Sequence, residues 1–188
     1  MRARRHSDGS IGLTEIEWVI AEILGRIPEL LESQDPKVKA RFEPEAYTDE
    51  ADQSQWRELV GPELRRLVAT RAEILRGDLD RLAAHDDGET FHVTIPAVHL
   101  SAWESALVGA SHALFGMHDL SAEELAGGPT GIGDTERDFA LLRIEVHSAV
   151  LHLLMRVADP SFGARSADID DLEDEPEHGV PDGGAPGA

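Results

Sequence analysis

Histidine is the residue type in this chain best suited to binding a metal, since nine histidines are present and cysteine is absent. Metal ligands on one helix usually lie four residues apart, so that both side chains share a face. His112 and His118 are six residues apart, whereas His147 and His152 are five apart. Neither spacing places a pair on one face, so we predict no local metal site and no cofactor. A site assembled from residues distant in sequence is the alternative.

A glycine-rich stretch at residues 127–133 precedes a predicted helix, whose free backbone amides could bind an anion. The stretch lacks the lysine and the glycine spacing of the phosphate-binding loops GxxxxGKS/T and GxGxxG. The chain also contains no GxSxG nucleophile elbow, and without cysteine it has no thiol nucleophile. We therefore interpret the stretch as a connector and predict no catalytic residues.

The last predicted helix carries polar side chains between two apolar stripes. Glu136, Arg143 and His147 fall in this interval. An arginine beside apolar surface often lays its aliphatic part on that surface while its guanidinium stays in water. A sharper hypothesis is that Arg143 and His147, with Glu136, line a groove that receives an acidic ligand or partner segment. The stripes, with steps of three and four residues, are Phe139, Leu142, Val146, Val150, Leu153 and Val157 in the first, and Leu141, Ile144, Leu151 and Met155 in the second.

Six of the 17 basic residues lie between residues 57 and 81. Acidic residues alternate with them, which is typical of an exposed helix with ion pairs along its surface. A second interpretation is that the acidic end of the chain docks on Arg65, Arg66 and Arg76 and competes there with a partner. Eight acidic residues and no lysine or arginine follow Arg165, so such docking would depend on salt concentration.

The overall charge limits the classes of partner. A net charge of −20 at pH 7 argues against an extended nucleic-acid surface. No apolar run approaches the roughly 20 residues of a membrane span. The basic segment from Met1 to His6 is not followed by the apolar core of a secretory signal. We predict a soluble cytoplasmic protein without nucleic-acid or membrane partners.

Apolar residues recur at helical spacing in four long segments, which must position the polar side chains described above. The first helix is predicted to begin at a capping box formed by Thr14 and Glu17 and to kink at Pro28. The second is predicted to begin at Gly61-Pro62 and to run to about Ala84, because proline is tolerated in a first turn.

The third long helix is predicted to begin at a capping box formed by Ser101 and Glu104. One side of it carries small residues that suit the close approach of another helix, namely Gly109, Ala113 and Gly116. A short turn is predicted to be capped by Ser121 and Glu124. The last long helix is predicted to open at Thr135 and to end at Asp159-Pro160.

Residues 90–95 alternate between apolar and polar side chains and form the one convincing strand of the sequence. The best partner for it is the segment Ser10 to Leu13. The predicted fold class is mainly α, a helical bundle of about four long helices with a minor short β-strand pair and a disordered acidic C-terminal tail. We predict a flexible segment or short strand over residues 1–12, a single helical domain over 13–160, and a disordered tail rich in glycine and proline over 161–188.

Several short motifs follow one another along the chain, namely Pro-Glu-Leu-Leu-Glu at 28–32, Glu-Pro-Glu-Ala-Tyr at 43–47, Thr-Asp-Glu-Ala at 48–51, Pro-Glu-Leu-Arg-Arg at 62–66, the extended segment Val93 to Ile95, and a helix with Trp103, Leu107 and Leu114. In this order they resemble DUF2017, a bacterial family of unknown function best known from actinobacteria. The resemblance covers approximately residues 10–158. It implies a regulatory or adaptor-type protein without established enzymology. A response to oxidation through cysteines, suggested for some members, does not transfer to a cysteine-free chain.

We therefore expect a non-enzymatic regulatory or adaptor-type protein that acts through contacts with a protein partner, and we leave open a homodimer. The alternative is an enzyme or a metal- or ligand-binding protein with a site built from dispersed His, Glu and Arg residues on the last two long helices.

Overall fold

The computed structural model of the chain describes residues 1–85, 88–128, 135–159 and 161. The predicted acidic tail, apart from Ser161, and most of the glycine-rich stretch at 127–133 lie outside these residues. The described part contains four strands and eight α-helices. In chain order these are β1 Arg2–Arg5, β2 Ile11–Glu17, α1 Trp18–Gly25, α2 Ile27–Leu31, α3 Pro36–Phe42, α4 Glu50–Leu59, α5 Gly61–Leu79, β3 Ala83–Ala84, β4 Thr90–Ile95, α6 Leu100–Met117, α7 Ala122–Gly127 and α8 Glu136–Ala158.

The four strands form one antiparallel sheet in the order β1-β2-β4-β3. The predicted pairing of Ser10–Leu13 with residues 90–95 is confirmed, since Ile11 pairs with Ile95 and Leu13 with Val93. These four side chains are almost fully buried on the side of the sheet that faces the helices. Because alternate residues point to opposite faces, the sheet buries one face and leaves the other polar.

Strand β2 is longer than the predicted segment Ser10 to Leu13 because a bulge lies inside it. The register of β2 against β4 shifts between Leu13 and Ile16, and Glu15 has a positive φ of 53°. The extra residue returns Ile16 to the buried face, so β2 continues to Glu17. The prediction that Thr14 and Glu17 form a capping box is therefore wrong, and the helix begins only at Trp18.

Three helix boundaries follow the predicted punctuation of the sequence. The predicted kink near Pro28 is confirmed, because the first helical segment divides at Arg26 into α1 and α2. Ser121 and Glu124 form the predicted capping box of α7, and Thr135 caps α8 by accepting a hydrogen bond from the Asp138 amide.

Two other predicted boundaries are wrong. Helix α5 ends at Leu79, about one turn before residue 84. Helix α6 begins at Leu100, directly after a 3-10 turn over Ala97–His99, so Ser101 lies inside the helix and does not cap it. The fold is mainly helical with a small antiparallel sheet, and it is not the predicted bundle of four long helices with a strand pair.

Helix α6 lies at the centre of the fold and packs against α2, α3, α5 and α8. Its small residues let neighbouring helices approach closely, as predicted. A β-carbon at Gly109 would lie 3.0 Å from Leu31 Cδ2 of α2, and one at Gly116 would lie 3.3 Å from the Lys37 carbonyl oxygen of α3. Near its start, α6 instead carries a large side chain, Trp103, which is fully buried.

Helix α8 buries a face that combines the interval between its two apolar stripes with Val150 of the first stripe. Ala140, His147, Val150 and Leu154 are its most deeply buried side chains, whereas Phe139 from the first stripe is 50% exposed. Helix α6 is the main packing partner of α8. Among the described residues, no helix combines the length and the apolar character needed to cross a lipid bilayer.

Candidate functional site

A cleft of about 260 Å³ lies along the line where α6 meets α8. Its lining is mostly apolar, but two cationic or ionisable side chains border it. The residues that line the cleft are Arg41, Ser111, His112, Phe115, Leu125 and Ile144. The Arg41 guanidinium lies 5.1 Å from the centre of the Phe115 ring, close enough for a cation–π interaction. This arrangement provides an apolar floor with positive charge at its edge.

Helix α7 brings Leu125 to the cleft and is fastened to the rest of the fold by Arg137 of α8. The Arg137 guanidinium donates to the Glu124 carboxylate at 2.6 Å and to the His118 carbonyl oxygen at 2.6 Å. The hydrogen bond from Arg137, aided by the Ser121 amide and hydroxyl, lowers the pKa of Glu124 to about 2. Leu125 is thus held at the cleft by a capped turn and an arginine clamp.

His147 lies behind this cleft and is 1% exposed. Its Nδ1 is 3.3 Å from the Ser111 hydroxyl, and that hydroxyl donates its single hydrogen to the Leu107 carbonyl oxygen. Nδ1 therefore carries the proton and donates to Ser111. Nε2 is the basic nitrogen and has no hydrogen-bond partner among the described residues. Burial, together with the nearby charge of Arg143, lowers the pKa of His147 to about 4.

The other two predicted groove residues lie elsewhere. Arg143 borders a smaller cleft of about 170 Å³, whose other lining residues are Arg26, Glu29, Leu30, Ser33 and Met117. Glu136 lies exposed in the first turn of α8 and lines neither cleft. The structure therefore does not gather Glu136, Arg143 and His147 around one groove.

The arginines predicted as a docking face for the acidic tail lie on α5, and each forms an ion pair within the body of the protein. Arg65 pairs with Glu43 of the preceding connector, and Arg66 pairs with Glu63 one turn away. Arg76 lies 2.7 Å from the carboxylate of Glu32, which follows α2. An incoming acidic segment would have to displace these carboxylates or share the arginines with them.

A second surface, which the sequence does not predict, surrounds α4. Tyr47 and Trp56 are in edge-to-face contact with ring centres 6.0 Å apart, and Tyr47 is 50% exposed. Leu59 at the end of α4 is 67% exposed. These three side chains border a cleft of about 240 Å³ together with Asp52, Gln55 and Val60. The signal in the sequence is the small number of apolar residues in α4. The structure leaves most of them exposed.

The apolar α4 surface has an acidic margin. Glu45, Asp49, Asp52 and Glu58 are exposed around it. The one arginine of α4, Arg57, is shared between Glu45 at 2.9 Å and Glu50 at 3.4 Å. The surface therefore keeps a net negative charge around its aromatic centre.

Asp78 of α5 is a buried carboxylate in the stretch whose alternating charges predict an exposed helix. It is 1% exposed and accepts a hydrogen bond from the Trp103 indole at 2.8 Å. His99 Nδ1 lies 3.0 Å from both of its oxygens, and Arg81 forms an ion pair with it. Its partners among the described residues come from α5, α6 and the turns next to them, so Asp78 fastens α5 to α6 and has a structural role.

In the part of the chain that the structure describes, no three His, Asp or Glu side chains converge as metal ligands would. Searches of curated proteins and of solved structures find no match to the chain. The family model for a domain of unknown function (DUF2017) matches residues 3–158, which confirms the resemblance inferred from the short motifs. Because this match runs from β1 to the end of α8 and covers well over half of the sequence, the chain belongs to the DUF2017 family.

Proposed function

We propose that this protein is a non-enzymatic cytoplasmic regulator or adaptor that acts through protein–protein contacts, and that the α4 surface is its contact site. The observation that carries the proposal is the exposure of Tyr47 and Leu59 beside Trp56. Aromatic side chains at the centre of a surface, with a polar rim, are the usual composition of protein interfaces.

The attachment of α4 to the fold favours a contact role. Its main packing partner is α5, and Gln53 is its one buried side chain. The Gln53 side-chain oxygen accepts from the amides of Ala46 and Tyr47 at 2.9 Å each, which fixes the connector that carries Tyr47. The polar contact of Gln53 therefore fixes α4 and the connector without covering the apolar side chains of the surface.

The partner should match both features of the surface. An acidic margin around an apolar centre fits a segment whose apolar face is flanked by lysine or arginine. We therefore propose that a basic amphipathic segment of another protein binds here. Its positive charge is attracted by the acidic margin, and its apolar face contacts Trp56 and Leu59.

The test is site-specific photo-crosslinking in the source cell with a photoreactive amino acid at position 59. Position 98 is the matched control, because Val98 is 85% exposed but lies far along the chain in the turn before α6. We expect a cross-link at 59 but not at 98 to a peptide with apolar residues flanked by lysine or arginine. That cross-link should weaken when Glu58 and Asp52 are replaced by lysine.

Equal labelling from positions 59 and 98 would show that exposure alone determines capture and would refute the proposal. A cross-link from position 59 to a second copy of the chain would also refute it, and would assign the surface to a homodimer.

A second candidate function is the binding of a small apolar anion in the α6–α8 cleft, which continues the ligand-binding alternative from the sequence. The observation that favours it is the pairing of Arg41 and His112 with the apolar lining of Phe115, Leu125 and Ile144. Native mass spectrometry of the full-length protein tests it. A co-purified small mass that is lost in Ile144→Trp, which fills the cleft, would support this function, and an unaltered mass in both proteins would exclude it.

A further inference from the structure

The edge strand β1 carries an exposed basic surface on a strongly acidic protein. Three of its four residues are arginines, and all three are exposed. Arg2 and Arg4 lie on the same face, because alternate residues of a strand point the same way. Arg2 pairs with Glu15 at 3.1 Å, whereas Arg4 has no ion pair or side-chain hydrogen bond among the described residues. The surface has positive charge that the rest of the described chain does not neutralise.

The outer edge of β1 also lacks a strand partner among the described residues, although α8 packs against β1. Within the part of the chain that the structure describes, β1 pairs with β2 on one side and has no strand on the other. An unpaired edge offers backbone donors and acceptors to any extended segment, and charged side chains decide which segment is accepted. Arginines select an acidic one.

The described chain ends beside this edge. The Arg5 guanidinium donates to the Ala158 carbonyl oxygen at 2.9 Å, which fixes the last turn of α8 against the end of β1. The sequence that continues from there contains Asp-Ile-Asp-Asp-Leu-Glu-Asp-Glu-Pro-Glu at 168–177, with seven carboxylates. From Ser161 to Asp168 the chain can span at most about 23 Å, while β1 is about 13 Å long. The acidic segment can therefore reach every residue of the edge.

We propose that the acidic segment 168–177 of the same chain docks along the outer edge of β1, antiparallel to it, with its carboxylates against Arg2 and Arg4. This site is independent of the α4 surface and of the function proposed for it. It differs from the α5 face considered from the sequence, because Arg65, Arg66 and Arg76 all have carboxylate partners in the body, whereas β1 includes Arg4, which has none among the described residues. The high local concentration of a tethered segment compensates for the weakness of exposed ion pairs.

Paramagnetic relaxation in the full-length protein tests the proposal directly. The chain has no cysteine, so Gly179→Cys gives a single attachment point for a spin label just beyond the acidic segment. We expect loss of amide signal at residues 2–5, with recovery at 0.5 M salt and in the variant Arg2→Gln/Arg4→Gln. The matched variant Arg65→Gln/Arg66→Gln removes the same charge from α5 and should leave the signal loss unchanged.

Three results would overturn the proposal. Signal loss concentrated at residues 65, 66 and 76 would place the segment on α5. Signal loss at β1 that persists in high salt and in Arg2→Gln/Arg4→Gln would reflect only the nearby origin of the segment. Absence of signal loss throughout the described residues would show that the segment does not dock on this chain.

Discussion

Protonation of His147 should destabilise the folded protein at mildly acidic pH. In the unfolded chain a histidine has a pKa near 6.5, whereas burial and Arg143 lower the pKa of folded His147 to about 4. Between these values the unfolded state binds a proton that the folded state does not bind. Stability therefore falls as the pH decreases through this window and stops changing on this account below pH 4.

The size of the effect follows from the two pKa values. The full difference corresponds to about 3 kcal/mol, and lowering the pH from 7.5 to 5 should realise about 2 kcal/mol of it. The structural cause is Nε2, which would carry a new N–H and a positive charge where no acceptor lies among the described residues.

Urea denaturation of His147→Leu and of the wild-type protein at pH 7.5 and pH 5 measures this term. At pH 7.5 the variant should lie within about 1 kcal/mol of the wild type, since it loses one long hydrogen bond to Ser111. At pH 5 the variant should be the more stable protein, because leucine cannot bind the proton. His112→Leu, exposed on α6, is the matched control, because it removes a histidine without removing the buried one. If the free energy of unfolding of His147→Leu falls between pH 7.5 and pH 5 as much as that of the wild type, the reasoning is refuted.

Packing and buried polar contacts give two further predictions, both measured by urea denaturation. Gly109→Val should destabilise by about 2 kcal/mol because its side chain would displace α2, whereas Gly77→Ala should stabilise by about 0.5–1 kcal/mol, since Gly77 lies inside α5 with open space around it. Equal effects at both glycines would contradict the proposed packing of α6. Asp78→Ala should destabilise by about 3 kcal/mol because it leaves the Trp103 indole buried without an acceptor, and Asp80→Ala, exposed at the end of the same helix, should have almost no effect. A small effect of Asp78→Ala would show that water replaces the carboxylate.

Local signals in the sequence predicted those parts of the fold that local interactions determine. The break near Pro28, the Ser121 capping box and the strand at residues 90–95 each depend on a few neighbouring residues, and each is present. The β2 bulge was missed for a physical reason. Glu15 breaks the alternation of Ile11, Leu13 and Ile16, so a strand there resembles the start of a helix.

The candidate sites depend on contacts between distant elements, and the sequence predicted them less well. The spacing of the stripes puts His147 between them, but it does not show that His147 is buried against Ser111 of α6. The α4 surface is recognisable only from what does not cover it. The periodicity of a single helix does not show which other elements pack against it, so it predicts neither the buried side of α8 nor the exposed surface of α4.

The pairing of β2 with β4 determines how late during synthesis the sheet can be completed. The paired residues Ile11 and Ile95 are separated by about 80 residues. At roughly 5–20 residues per second, a ribosome needs about 4–16 s to make the second strand after the first. Throughout that interval β2 can pair only with β1 and lacks β4, although Ile11, Leu13 and Ile16 are among the most deeply buried side chains of the finished protein. The segment that is synthesised first is therefore among the last to be enclosed, and a nascent chain that stalls before Thr90 would expose an apolar strand to chaperones.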